Sequence, residues 1–430
     1  MKYAETINDI INAFNLYPLS EKDLPYFYED TMEYRTGDEY ESPIQDIIDA
    51  CKIPSERNSF LLLGHKGCGK STELNNMSVK LKNEGYSVYT VECDKDLDLP
   101  NALHTDLMIL MGEALIEIAD NINCRLNKDI INQVNSFWDT SIEKVVTIDK
   151  SNSTSAEAGI QAGNPLFSIL NLFANFKADL KFNEENREVH RTKIRQRSSE
   201  WLLMLRKISN IISEKLSGKQ PIIIFEDLDK LDSKTAWDIF GNYSSLLTRV
   251  SFPVIYTFPI ALSYDTRFSA LNGYFKEHTL PMIKQETVDG EPYKKGINTI
   301  VEIIKKRADY SLFEENAIEG MIKKTGGSLR DLFAIINDSA QRAIRRESSV
   351  ITLEDAKIAL EKHKSSLTRR IERRHYEFLA DIYRGNRELI ENKEMLLEML
   401  QANAVLEYNG KRWHNLHPLV AEFLKEQGLT

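Results

Sequence analysis

Two short runs of this chain carry residues arranged for phosphate and metal chemistry. Gly64-His65-Lys66-Gly67-Cys68-Gly69-Lys70-Ser71 follows the pattern G-x-x-x-x-G-K-S, with Thr72 directly after it. Glycines let a backbone curl until successive N–H groups face one anion. A helix starting at the end of the loop adds the positive end of its dipole. Lys70 supplies a mobile charge for β- and γ-phosphates, and the Ser71 hydroxyl is a hard oxygen ligand for Mg²⁺. The second run is Ile222-Ile223-Ile224-Phe225-Glu226-Asp227-Leu228-Asp229. Acidic residues at the carboxyl end of a buried parallel strand stand where a Mg-nucleotide would lie. One carboxylate would hold the metal shell and its neighbour would orient the attacking water. Taken alone, this run also fits a solvated turn; its partnership with the phosphate loop favours the functional reading. The candidate metal ligands are therefore Ser71, Glu226 and Asp227.

These side chains need strands that end beside one another. Phe60 to Leu63 is a short, wholly apolar run ending at Gly64, as expected of a buried parallel strand. Leu74, Met77, Ser78 and Leu81 then repeat at helical spacing, and Gly85 stops the helix. Ser87–Glu92 reads as a second strand, which completes a βαβ unit and implies a helix-covered parallel sheet. Pro221–Phe225 and Phe252–Phe258 read as further buried strands, and His278–Ile283 as a fifth. Between Pro100 and Gly218 the pattern is helical, broken by a small, polar connection at 151–163. The apolar stretch 165–176 there fits burial in an insertion core better than a partner contact.

After about Glu291 the periodicity is helical only, in Ile297–Ala308, Glu314–Thr325, Ser328–Arg346 and Leu353–His363. The last segment has three helical stretches and then Val405–Tyr408, Asn409-Gly410 and Lys411–His414. That order predicts a hairpin on a two-residue Asn-Gly turn, with Leu406 opposite Trp413 and Glu407 opposite Arg412. Helices followed by a hairpin suggest a winged-helix module.

The expected architecture is thus α/β. A P-loop base spans 1–290 with a helical insertion at about 96–218, an all-helical lid spans 291–364, and a winged-helix-like domain spans 365–430. The 430 residues are ample for this, and 42% hydrophobic with 28% charged residues excludes a disordered or low-complexity chain. A net charge of −10 argues against a chain-wide nucleic-acid coat. Cys51, Cys68, Cys93 and Cys124 form no C-x-x-C pair, which fits a reducing, cytoplasmic setting without structural zinc. No signal peptide and no apolar run long enough to span a membrane is expected.

Together the two motifs resemble those of AAA+ and STAND ATPases, particularly the origin-recognition and helicase-loader branch. Glu226-Asp227-Leu228-Asp229 is similar to the Walker B run of that group, with Glu where Asp is usual at the first position. The resemblance implies ATP and Mg²⁺ as ligands, ATP hydrolysis, and Asp227 as the residue that polarises water. It implies sensor 1 at Thr257, which otherwise reads as an ordinary strand residue. It implies an arginine finger at Arg267, which otherwise reads as a surface arginine. Thr325-Gly326-Gly327-Ser328-Leu329-Arg330-Asp331-Leu332 is similar to the sensor 2 element, with Arg330 bridging lid and γ-phosphate. The implied function is a nucleotide-driven switch acting on a partner: identical subunits, an effector protein or DNA. Bacterial relatives of this layout often serve defence or mobile-element systems. The alternatives are a nucleotide-gated scaffold with negligible turnover and a DNA-binding initiator- or loader-type ATPase. Arg369, Arg370, Arg373 and Arg374 with Lys411 and Arg412 would meet a DNA backbone, but the flanking Glu372 and Glu377 also fit a salt-bridged helix face.

Overall fold

The computed structural model describes all residues except 54, 56–57, 150–164, 389 and 409–411; side chains at 139–149, 165 and 167 are likewise outside it. Helix α1 (Pro43–Lys52) precedes strand β1 (Ser59–Gly64), whose six residues are all buried. The phosphate loop follows, then α2 (Lys70–Asn83) and β2 (Val88–Glu92). Helix α2 ends just before Gly85, whose φ of +82° suits the turn into β2. Strands β3 (Ile222–Glu226), β4 (Val254–Pro259) and β5 (Lys276–Thr279) complete the sheet. Its order is β2-β3-β4-β1-β5, and every pairing is parallel. β5 begins and ends earlier than the sequence pattern implies. Pro281 has no N–H to extend the ladder, so pairing stops before it.

This order places β4 between the phosphate-loop strand and the acidic strand. Leu62 pairs with Thr257 and Phe225 with Tyr256, so the carboxyl ends of β1, β3 and β4 lie side by side. The two faces of the sheet feed different cores. Phe60, Leu62, Ile222, Ile224 and Ile255 pack with α1 and α2. Leu61, Leu63, Ile223, Phe225 and Val254 face the insertion. Each such side chain, fully buried, stabilises the fold by roughly 1.5–3 kcal/mol.

The insertion comprises α3 (His104–Asn121), α4 (Lys128–Asp149), α5 (Pro165–Phe182) and α6 (Glu184–Lys215). The predicted connection at 151–163 lies outside the described residues. Ile169, Phe173, Phe176 and Leu180 are buried with Trp138 and Trp201, so the 165–176 stretch is core. This core is continuous with the sheet face, which welds the insertion to the base. Gly112 permits the close approach, since a side chain there would collide with the Trp201 indole.

The lid comprises α7 (Lys294–Lys305), α8 (Glu315–Lys323), α9 (Leu329–Arg345) and α10 (Leu353–Thr368). Ala4, Ile7, Ile10 and Phe14, which the sequence pattern groups with the base, pack into this lid core. The chain ends in α11 (Tyr376–Tyr383), α12 (Lys393–Gln401), β6 (Val405–Tyr408), β7 (Trp413–Leu416) and α13 (Pro418–Glu426).

The hairpin register differs from the predicted one. Tyr408 pairs with Trp413 and Leu406 with Asn415, so the loop holds four residues rather than two. Arg412 adopts φ 40°, and the Tyr408 and Trp413 rings stack at 4.6 Å. The Asn409-Gly410 turn and Lys411 lie outside the described residues. Leu406, Glu407, Tyr408, Trp413 and His414 are all buried. Leu406, Tyr408 and Trp413 pack into the α1–α2 side of the base.

Candidate active site

The phosphate loop starts where β1 leaves the sheet and ends where α2 begins. Gly67 and Gly69 take φ of +89° and +104°, left-handed conformations that a side chain would strain. Lys70 folds back beneath the loop. Its Nζ donates to the carbonyls of Gly64 at 2.8 Å and His65 at 3.0 Å, and lies 2.9 Å from Asp229 Oδ2. Burial disfavours the ammonium, but Asp229 outweighs it and holds the Lys70 pKa above the usual lysine range.

Arg35 supports the loop from behind. It is fully buried in a one-turn helix, Met32–Thr36, and donates to Cys68 O at 2.7 Å, Pro281 O at 2.6 Å and Thr31 Oγ1 at 2.7 Å. Thr72 accepts from the Leu19 N–H at 3.2 Å, tying the N-terminal segment to the first turn of α2. Tyr28 donates to Glu73 at 3.0 Å, and burial pushes the Glu73 carboxyl up to about 7.

Glu226 is buried at the end of β3 beside Ser71. Burial pushes its carboxyl up to about 7, the Ser71 hydrogen bond opposes that, and the negative Asp227 and Asp229 add to it. Its Oε1 is buried with no hydrogen-bond partner among the described residues. A hard hydroxyl beside an orphaned carboxylate oxygen is a donor set that fits Mg²⁺. Asp227 follows with φ 69°, and its Oδ1 lies 2.9 Å from Lys230 Nζ.

Thr257 does not open into the cleft. It is buried, accepts from the Leu228 N–H at 2.9 Å and the Asp229 N–H at 3.4 Å, and donates to Phe225 O at 3.4 Å. It braces the acidic loop from below. Arg267 stands apart on the surface, paired with Asp265 Oδ2 at 2.5 Å and stacked over Trp237 at 4.6 Å.

Arg330 is brought to the phosphate loop, although it lies far along the chain. Its N–H reaches Gly67 O at 3.4 Å, and a Cβ on Gly67 would lie only 2.7 Å from the Arg330 Cβ. Ser328 caps α9 by accepting from the Asp331 N–H at 3.3 Å, which fixes where Arg330 starts the helix. A cleft of about 990 Å³, counting its open mouth, lies between base and lid. Lys70, Ser71, Asp227, Asp229 and Arg330 are among its polar lining; Pro18, Leu19, Phe27, Ile303 and Phe333 are among its apolar lining, with the Arg307 guanidinium over the Phe333 ring. That division suits a ligand with a charged tail and a flat ring system.

The C-terminal hairpin grips the same machinery. His65 Nε2 accepts from the buried Glu407 N–H at 2.8 Å, and Asn403 donates to Lys66 O at 3.1 Å. Burial forces the His65 imidazole down to about 3, so it stays a neutral acceptor. Tyr408 donates to Gly326 O at 2.7 Å. Asp331, next to Arg330, lies 3.3 Å from His417 and 3.4 Å from His363. Burial opposes its charge, yet the two imidazoles hold its carboxyl well below the usual range.

Of the predicted residues, Lys66, Gly67, Gly69, Lys70, Ser71, Thr72, Asp227 and Arg330 line the cleft; Glu226 stands beside Ser71, Gly64 and Cys68 belong to the loop without lining the cleft, and His65 faces the hairpin. Thr257 lies behind the cleft and Arg267 outside it. The sequence motifs assign no role to Asp229, Arg35 or Glu73. Asp229 is legible as an acidic residue two places after Asp227; a lone arginine at 35 carries no signal. On the C-terminal module, Arg374 pairs with Glu372 at 3.0 Å and with Glu398 at 3.0 Å. Arg412 lies 3.4 Å from Glu277 and 3.6 Å from Glu407. Both pairings are intramolecular salt bridges, while Arg369, Arg370 and Arg373 are exposed and Lys411 lies outside the described residues.

No protein-family model matches the chain, and no curated protein matches it either. Among solved structures it is similar to Cdc6p from Pyrobaculum aerophilum, at 12% identity and TM-score 0.38, covering 94% of this chain and 98% of that one. It is similar to the ADP form of the Aeropyrum pernix ORC2 protein, at 8% identity and TM-score 0.39, covering 97% of each. It is also similar to the Thermotoga maritima RuvB Holliday junction branch migration motor, at 10% identity and TM-score 0.34, covering 92% and 99%. Likenesses this distant assign no activity, and the chemistry open to this chain is set by the geometry of its own cleft.

Proposed function

We propose that this protein is an ATP-binding, ATP-hydrolysing switch of the AAA+/STAND type, with Mg-ATP held between base and lid. The observation that carries the reading is the meeting of Gly67 and Arg330, whose backbone and Cβ stand against the phosphate loop while the residue lines the cleft. The loop amides and Lys70 would hold the β- and γ-phosphates, and Arg330 would reach the γ-phosphate from the opposite wall. Ser71 and Glu226 would hold Mg²⁺, which neutralises phosphate charge when bound. Asp227 would orient the attacking water once freed from Lys230. A γ-phosphate contacts both walls and a diphosphate only one, and that differential contact supplies the free energy for a change in lid angle.

The hairpin touches both walls through His65 and Gly326, so a changed lid angle would be felt in the C-terminal module. Its output would pass to identical subunits, an effector protein or DNA. Steady-state phosphate release tests the reading, comparing the parent with Asp227→Asn. The parent should exceed the variant by about 100-fold, the lower range for a general base. Equal rates, with Mg-ATP binding intact, would favour the nucleotide-gated scaffold. Two observations already lean that way: Glu226 is raised towards neutrality, and Asp227 is engaged by Lys230.

A further inference from the structure

We propose that Asp229 competes with the phosphates of the nucleotide for Lys70, and so sets how tightly the cleft binds. This inference rests on reading the cleft as a nucleotide site. An ammonium has three protons, and Lys70 has three acceptors: the Gly64 and His65 carbonyls and Asp229 Oδ2. The carbonyls belong to the loop and cannot leave without unwinding it. Asp229 is the charged acceptor of the three, and the one a phosphate oxygen can replace.

The neighbouring carboxylates do not take this part. Asp227 is paired with Lys230, and Glu226 lies against Ser71. Thr257 accepts from the Leu228 and Asp229 amides, which anchors the backbone of the turn from which the Asp229 carboxylate reaches Lys70. The Lys70 side chain is 6% exposed and that of Asp229 12%. In such surroundings the attraction between two charges is far stronger than at a surface. Breaking the pair would be prohibitive if Asp229 were sealed in. It is not, because it borders a second cleft lined by Gly64, Lys66, Lys230, Gln401 and Asn403. A released carboxylate meets water there, beside Lys230.

The cost of release falls only on ligands that reach Lys70. ATP and ADP must displace Asp229, whereas AMP, bound through its single phosphate nearer α2, leaves the pair intact. Thr257 thereby acts on the nucleotide through Asp229, as a positioning residue.

The test is calorimetric titration of ATP, ADP and AMP in EDTA, with the parent, Asp229→Asn and Thr257→Val. Metal is left out so that any loss of a metal ligand does not enter. Asp229→Asn should bind ATP and ADP about tenfold tighter, at the low end for close charge pairs. AMP binding should be unchanged, and Lys70→Ala should erase the gain. Thr257→Val should shift affinity the same way by less, and it decides the matter if Asp229→Asn does not fold. A parent that binds weakly or not at all beside a variant that binds also supports competition. Unchanged or weaker ATP and ADP binding in both variants, with the parent binding, overturns the competition alone, as does an AMP gain equal to that of ATP. Absence of binding in all three proteins overturns the nucleotide reading of the cleft, and the competition with it.

Discussion

Replacing Glu226 with Gln separates the two things this carboxyl does. In the folded protein burial carries its pKa from the ordinary 4.5 to about 7. A raised folded pKa means that the native state holds a proton which the unfolded chain has lost between those values. The stability linked to Glu226 is therefore fully present below pH 4.5 and is lost as pH rises through about 7. Each pKa unit is worth about 1.4 kcal/mol, so the difference of two to three units is worth about 3 kcal/mol at pH 8. Glu226→Gln removes that loss while keeping a group able to meet the Ser71 hydroxyl. Urea unfolding of the nucleotide-free protein at pH 5 and pH 8 reads it. The variant should match the parent within about 1 kcal/mol at pH 5 and exceed it by about 3 kcal/mol at pH 8. The same variant should lose the Mg²⁺-dependent part of ATP binding, because an amide cannot supply the ionised oxygen. In the parent, that Mg²⁺-dependent part should grow as pH rises through about 7. A variant-minus-parent stability difference that does not change with pH would refute the reasoning, since Glu226 would then be ionised in the apo protein throughout.

Arg330→Ala should narrow the preference for ATP over ADP, by about tenfold for one lost charge-assisted contact, without abolishing ADP binding; equal losses for both nucleotides would remove it from the γ-phosphate. Gly67→Ala should cost about 1–2 kcal/mol from the left-handed backbone alone, and more because the new methyl meets Arg330 and Ser328. Its melting midpoint should fall; an unchanged midpoint would mean the lid stands further from the loop in solution. His65→Ala leaves the Glu407 N–H buried without an acceptor, at a cost of about 1–3 kcal/mol, and should speed amide hydrogen exchange in β6 and β7. Exchange at the parent's rate would show that His65 does not hold the hairpin. Arg267→Ala should be inactive alone and regain activity on mixing with Lys70→Ala if it reaches a neighbouring subunit; no recovery at any ratio would leave it a surface residue bound to Asp265 and Trp237.

Much of the base was legible because its signals are local. Leu61 and Leu63 face one core and Phe60 and Leu62 the other, and only a strand buried on both faces needs so unbroken an apolar run. The loop glycines announce themselves because left-handed φ values exclude other residues cheaply. Sensor placement was less legible. Order along the chain points to Thr257, yet whether a strand hydroxyl faces the cleft or the loop beneath it depends on one backbone turn at Asp227. The hairpin register departs from expectation because Asn409-Gly410 is a strong two-residue turn signal, while the stacking of Tyr408 on Trp413 selects a longer loop. Arg35 was invisible, since the carbonyls it bridges, Cys68 and Pro281, lie on other elements.

The chain's own order of residues determined that a glycine-rich loop, an acidic strand end and a serine-capped arginine exist, each behind the element that presents it. Those properties depend on backbone torsions and periodicity within a few residues. Tertiary structure alone decided that Asp229 takes Lys70, that Arg330 stands against Gly67, and that the hairpin is folded inward on His65. Each of these depends on the relative position of elements distant in the chain, and that position is set by burial summed over whole surfaces, which no local spacing records.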